Sequence, residues 1–308
     1  MMKYRIFQYG RDNAYIKDVV KGHASREDNV EPQSETWFRQ RFEQNPLGKA
    51  ILACAFDGER MVACMIVERV PIECESQHTV GGYVSEYFVL PDYESPELLA
   101  ELLKLVEEEA KNSGLDILLT YNVIHVKDFG WTYFENKVRF RLNSVSGLWR
   151  SLFKLLDSTK PFVPDNREIQ YDGTVIEKEN ESEDVAVQKS TKAYYKWLSQ
   201  TGANKYITID DEEFYAVAII GQRGKRVREA HICYLESKRG DSFGQHVLEV
   251  IKEQYKKECI DVVSWIDDMH YLPINNSLRI SQMISYCYKS LGDGEHNMSG
   301  IVLDYYAF

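Results

Sequence analysis

The sequence predicts an α/β (α+β) protein of two tandem domains, residues 1–160 and 161–308, each a mixed, mostly antiparallel sheet flanked by helices. Three observations predict it. The chain has 308 residues, enough for two cores of ordinary size. The same order of elements occurs twice: a β-hairpin leading to a long strand, then turn, helix, strand, helix and strand. No strict sequence repeat underlies it. The segment Lys160–Asn166, with Pro161 and Pro164, separates the two occurrences.

In the first half, Tyr4–Tyr9 reads as a strand, and Arg11–Lys21 and Glu35–Gln44 as helices. Ala50–Phe56 and Met61–Val70 form a hairpin around Asp57-Gly58-Glu59, a strong turn signal. Val80–Leu90 is a longer strand. Pro91–Ser95 is a turn, and Pro96 suits a helix start because its φ is already helical. Leu98, Leu99, Leu102, Leu103, Leu105 and Val106 give the helix Glu97–Lys111 its apolar face, and Gly114 caps it. Leu115–Tyr121 is a strand, His125–Lys137 a helix, and Arg139–Leu148 a final strand pair.

In the second half, Arg167–Lys178 is a strand region. The acidic run Glu177–Asp184 precedes the helix Val185–Leu198, where negative charge suits the positive helix end. Lys205–Ile209 and Phe214–Ile220 form a hairpin, and Val227–Leu235 is the next strand. The turn Arg239-Gly240-Asp241-Ser242-Phe243-Gly244 leads into an amphipathic helix with Val247, Leu248 and Ile251 inward. Asp261–Asp267 is a strand, Ser277–Lys289 a helix, and Gly300–Tyr306 a closing strand.

Composition excludes some classes. A formal net charge of −11 argues against a nucleic-acid partner, since phosphate contacts need a basic surface. No apolar stretch approaches a membrane span, and the N-terminus lacks the apolar centre of a signal peptide, so a cytoplasmic location away from membranes is expected. Cys54, Cys64, Cys74, Cys233, Cys259 and Cys287 show no CxxC and are expected to be reduced thiols. No metal site is expected: His125 and Asp128 lack a third ligand at the usual spacing.

The informative stretch is Tyr234–Lys257. Gly240 and Gly244 allow close backbone approach, and Ser242 is a candidate helix cap. The first amides of the following helix point outwards and can hold a phosphate. Lys238 and Arg239, with Arg223-Gly224-Lys225-Arg226, supply local positive charge.

This turn resembles the donor-binding loop of the GNAT acetyltransferase superfamily, whose pattern is Arg or Gln, two residues, Gly, one residue, then Gly or Ala. Arg239 stands at the first position, Ser242 replaces the first Gly, and Gly244 stands at the last. The resemblance implies that Lys238, Arg239, Gly240, Asp241, Ser242, Phe243 and Gly244 hold the pyrophosphate of acetyl-coenzyme A as co-substrate. It extends, as a pattern of elements, over both halves. The first half is similar to the family at Val89-Leu90-Pro91, but Glu94-Ser95-Pro96-Glu97 replaces its glycines, which implies a degenerate domain.

The stretch Tyr288-Lys289-Ser290-Leu291-Gly292 resembles the family's Tyr-x-x-x-Gly-Phe signature, with Asp293 in the Phe position. It implies that Tyr288 protonates the departing thiolate; the matching residue of the first half, Phe134, cannot. Glu229 stands where several family members carry a glutamate base, and His231 shares its face by strand alternation, so either could take the proton of the acceptor amine. Asp267 and Asp268 could grip a cationic substrate. The family holds the pantetheine arm where two central strands splay, here Val227–Leu235 and Asp261–Asp267.

The expectation is a transferase moving an acetyl group from acetyl-coenzyme A to a primary amine of a small molecule or a peptide. A homodimer stays open. The alternatives are a non-catalytic binding or scaffold protein of the same fold, and a tRNA-dependent aminoacyl transferase.

Overall fold

Apolar alternation and one tight turn build the first sheet. The Asp57–Arg60 turn closes through Gly58 at φ +63°, a left-handed conformation that glycine adopts without strain. It joins β2 (Ile51–Asp57) to β3 (Arg60–Cys74), both almost wholly buried. The computed structural model describes residues 2–8, 15–25, 34–74, 77–121, 126–145, 159–165, 183–202, 204–238, 245–267, 272 and 277–292. The expected strands Arg167–Lys178 and Gly300–Tyr306 lie outside these residues.

The described residues fall into two compact units. In the first, β1 (Met2–Gln8), β2, β3 and β4 (Gln77–Val89) pair antiparallel in sequence order. β4 then pairs in parallel with β5 (Ile117–Thr120). The helix α3 (Pro96–Asn112) covers one face with Leu98, Leu99, Leu102, Leu103, Val106 and Ala110. The helices α1 (Ile16–Ala24) and α2 (Glu35–Glu43) bring His23 and Phe38 together, with His23 5.2 Å from the Phe88 ring of β4.

In the second unit, β9 (Phe214–Arg223) pairs antiparallel with β8 (Tyr206–Asp210), β7 (Phe162–Pro164) and β10 (Val227–Ser237). β10 pairs in parallel with β11 (Val262–Ile266). The helix α5 (Gln245–Lys257) packs Val247, Leu248, Ile251 and Tyr255 onto Ala230, Ile232, Val263 and Trp265. The proline-marked segment between the sequence halves supplies β7. It runs so close to β9 that a Cβ on Gly221 would lie 2.2 Å from the Val163 carbonyl oxygen. A proline in β7 is tolerated because the strand is short and at the sheet edge.

The structure corrects two predicted helices. His125–Lys137 is a single 3-10 turn, Lys127–Phe129, followed by the strand β6 (Thr132–Ser144). Ser277–Lys289 is the strand β12 (Leu278–Ser290). In β12, Ile280, Ile284, Cys287 and Tyr288 satisfy helical spacing, but Ile280, Ile284, Tyr286 and Tyr288 also satisfy period 2. β-Branched and aromatic content favours the strand. In β6, Val138, Phe140 and Leu142 alternate with Lys137, Arg139 and Arg141 in the same way.

These strands also decide how the chain divides. Residues 136–144 of β6 belong to the second unit, where Phe140–Ser144 pair with β11. Residues 285–290 of β12 belong to the first, where Cys287–Ser290 pair with β5. Each half of the sequence thus gives part of its long strand to the other unit. The helix α4 (Glu183–Thr201) likewise contributes to both, changing units after Tyr194. Among the described residues, no helix is long and apolar enough to cross a membrane.

Candidate active site

Two parallel ladders stop where the shorter strand ends, leaving the longer strand to continue without that neighbour. In the second unit the parallel ladder runs from Glu229↔Val262 to Ile232↔Trp265. A β-bulge between Ile232 and Tyr234 then breaks the register of β10 against β9. Such a bulge bends the strand and increases its twist. β10 continues to Ser237, whereas β11 ends at Ile266. In the first unit the parallel ladder is only Gly82↔Leu118 and Tyr83↔Leu119, and β4 carries an irregularity opposite Ile66 and Val67. There Thr120 Oγ1 donates to the Val84 carbonyl at 3.2 Å.

The two longer strands, β4 and β10, lead into different turns. In the first unit the N-terminus of α3 satisfies itself. Ser95 Oγ accepts from the Leu98 N–H at 3.1 Å, the Leu99 N–H bonds the Ser95 carbonyl, and Pro96 has no N–H. With Glu94 and Glu97 beside it, this terminus has little to offer an anion. In the second unit Arg239, Gly240, Asp241, Ser242, Phe243 and Gly244 lie outside the described residues. Lys238 is described: its ammonium donates to Asp210 Oδ1 and to the Asp211 carbonyl, both at 2.5 Å, and is held by the β8–β9 turn.

Strand alternation sorts β10. Ala230 and Ile232 enter the core under α5, while Glu229 and His231 face the other side, both 0% exposed. They are parts of one buried polar chain. Arg223 of β9 grips Glu229 with two bonds, Nε to Oε2 at 2.5 Å and a terminal nitrogen to Oε1 at 2.7 Å. The Ser264 hydroxyl of β11 donates to Glu229 Oε1 at 2.5 Å, and His231 Nδ1 lies 2.9 Å from Ser264 Oγ. Arg223 also donates to the Lys160 carbonyl at 2.9 Å. The rings of Phe140 and Phe162 lie 5.8 and 6.0 Å from the His231 ring.

Sequence reading brought out Glu229 and His231 and missed Arg223 as their partner and Ser264. A signal existed for Ser264, the one polar residue in the apolar run Val-Val-Ser-Trp-Ile. It also missed the tyrosines at the bulge. Tyr234 stacks on Tyr195 with centroids 5.0 Å apart and lies 6.2 Å from Tyr215. Burial, then the carboxylates of Asp210 and Glu236, pushes the Tyr215 hydroxyl up to about 12, so it stays protonated across the neutral range.

Two other candidates are placed differently from expectation. Tyr288 does not end a helix. It sits in β12, half-buried, opposite Leu119 of β5, and belongs to the first unit, whereas Glu229 and His231 belong to the second. Asp267 is already engaged: Oδ1 accepts from Arg141 Nε at 2.7 Å and Oδ2 from Arg279 at 2.7 and 3.1 Å. It is thus an intramolecular clamp rather than a vacant grip for a cation; Asp268 lies outside the described residues. Among the described residues, no cluster of three His, Cys, Asp or Glu side chains could hold a metal ion.

Asp267 has a measurable consequence. Burial alone would raise its pKa, but hydrogen bonds and charge from Arg141 and Arg279 outweigh this and hold it below the ordinary carboxylate value. A depressed folded-state pKa contributes stability above the unfolded value, about 3.9, that is lost as pH falls through the lower folded value. Unfolding midpoints measured from pH 5 downwards should therefore fall less steeply for Asp267→Asn than for the wild type. Parallel slopes would show that the clamp adds nothing.

No family model and no curated protein sequence matches the chain. Solved structures do. A GCN5-related N-acetyltransferase from Kribbella flavida superposes with a TM-score of 0.53 at 11% identity, covering 94% of this chain and 71% of that one. A protein from Enterococcus faecalis V583 described as a probable N-acyltransferase gives 0.53 at 7% identity, with 94% and 73% covered. Eis1 from Mycobacterium abscessus gives 0.50 at 8% identity, with 94% and 74% covered. Identities this low carry architecture and not chemistry. These superpositions show that this chain has the GCN5-related N-acetyltransferase (GNAT) fold.

Proposed function

We propose that the chain is an acyltransferase that moves an acetyl group from acetyl-coenzyme A to a primary amine of a small molecule or peptide. The observation that carries this reading is that the β10–β11 ladder stops at Ile232↔Trp265, beside a β10–β9 register shift, on the strand that leads to residues 239–244. Backbone groups of β10 beyond the end of that ladder could bond the amides of a pantetheine arm. The turn residues Arg239 to Gly244 would take the pyrophosphate on the amides at the start of α5. Tyr288 remains the candidate that would protonate the departing thiolate.

The test is calorimetry with acetyl-coenzyme A. The wild type is expected to bind, and Gly244→Trp to bind at least about tenfold more weakly, a difference of 1.4 kcal/mol or more. Equal affinities, or no binding by the wild type, would remove the donor site from this turn. A second reading, a non-catalytic binding protein of the same fold, is favoured by the engagement of Glu229 with Arg223, which occupies a carboxylate that a transferase would use as its base. Release of free coenzyme A thiol over a panel of amines separates the two.

A further inference from the structure

We propose that Cys54 and Cys64 are an oxidisable pair: hydrogen peroxide converts their thiols to a disulfide that ties β2 to β3 and holds the end of this hairpin against opening. The proposal is independent of the acyltransferase reading.

The register places the two residues side by side. Cys54 and Cys64 are direct partners in the antiparallel β2–β3 ladder. Opposed residues in such a ladder have Cα atoms about 4.5–5.5 Å apart, inside the span of about 4.4–6.8 Å that a disulfide bridges. The side chains already meet: Cys54 Sγ donates to Cys64 Sγ at 3.4 Å. A bond of about 2.05 Å asks the sulfurs to approach by about 1.4 Å more. The backbone beside them can give, because the ladder shifts register between Ala55 and Phe56, and such a shift leaves the pairing locally disrupted.

The surroundings decide when the pair reacts. Ala53, Ala55, Ala63 and Met65 belong to the core under α3, so alternation turns Cys54 and Cys64 to the opposite face. There Cys64 lies across from Phe88 of β4, and α1 rests on Phe88: a Cβ on Gly22 would lie 2.0 Å from its ring. Both cysteines are 0% exposed in the closed sheet. Burial, then the contact from Cys54, pushes the Cys64 thiol well above its ordinary value. The thiolate is the reactive form, so the closed pair is protected and reaction waits on opening. The pair stands near the Asp57–Arg60 turn, and opening one end of a hairpin costs less than unfolding the whole unit.

In the opened end one thiolate attacks the peroxide. An S–O bond forms, the O–O bond breaks, and hydroxide leaves. The second sulfur attacks the resulting sulfenic acid, an S–S bond forms, the S–O bond breaks, and water leaves. Two thiols are oxidised to one disulfide, the peroxide is reduced to two waters, and the thiol protons end in those waters. The closed disulfide then fixes the strand that faces Phe88 and, through it, the seat of α1.

The test uses the full chain. Exposed thiols such as Cys259 are first alkylated with iodoacetamide. The protein is then held in hydrogen peroxide, unfolded in N-ethylmaleimide, and cut with trypsin without reduction. Cleavage after Lys49, Arg60 and Arg69 leaves the two cysteines on separate peptides, 50–60 and 61–69. These peptides are expected joined, two hydrogens lighter than their sum, and to join faster in urea well below the unfolding midpoint. In the linked protein, hydrogen exchange at residues 53–55 and 63–65 should slow by about tenfold or more and recover with dithiothreitol. Peroxide-treated Cys54→Ala should show no slowing. Peptides that stay separate, whether labelled by N-ethylmaleimide or oxidised to sulfinic acid, overturn the pair. A linked pair without slower exchange, or equal slowing in Cys54→Ala, overturns the tie.

Discussion

Glu229→Ala is expected to lower the free energy of unfolding by about 3–5 kcal/mol, measured by urea titration. The reason is what remains. Arg223 is 2% exposed; it loses both hydrogen bonds to the carboxylate and keeps the one to the Lys160 carbonyl. A guanidinium left in that setting keeps its desolvation cost without the carboxylate that offset its charge. Replacing both residues by apolar ones, Arg223→Met with Glu229→Leu, removes the stranded charge and is expected to recover most of the loss, since buried ion pairs seldom outperform a packed hydrophobic isostere. A Glu229→Ala variant that unfolds like the wild type yet transfers no acetyl group would instead make Glu229 a catalytic base, as its position in the sequence suggested.

Trp265→Ala is expected to cost about 3–5 kcal/mol, the range for removing a large aromatic from a core. Trp265 is 0% exposed, stands at the last rung of the β10–β11 ladder, and belongs to the cluster that joins the sheet to α5. Trp265→Phe is expected to cost far less, on the order of 1 kcal/mol. Its indole N–H has no hydrogen-bond partner among the described residues, so phenylalanine gives up volume but no bond. Urea midpoints that fall equally for both variants would mean that the nitrogen has a partner after all. Because this residue stands at the last rung of the β10–β11 ladder, Trp265→Phe also tests whether core repair and donor binding can be separated.

Much of the architecture was legible where one signal stood alone. The Asp57–Arg60 hairpin and the leucine face of α3 were read correctly because turn chemistry and helical period had no competitor. β6 and β12 were misread because their apolar residues satisfy two periods at once, and only neighbouring strands choose between them. That misreading also misplaced Tyr288, since a residue expected at a helix end stands instead on a strand paired with β5.

The candidate site divides along the same line. By itself, the sequence determined that Glu229 and His231 share a face of one strand, because period-2 alternation is a local property of the backbone. It could not determine that Arg223 would occupy Glu229 or that Ser264 would stand between Glu229 and His231. Ser264 lies thirty-five residues from Glu229 along the chain and reaches it only when β11 docks in parallel beside β10. Tertiary pairing therefore decided that one of the two side chains is held in an ion pair and that the other meets it across a serine hydroxyl. The physical reason is that hydrogen-bond direction depends on which groups meet, and these groups meet only once the sheet has formed.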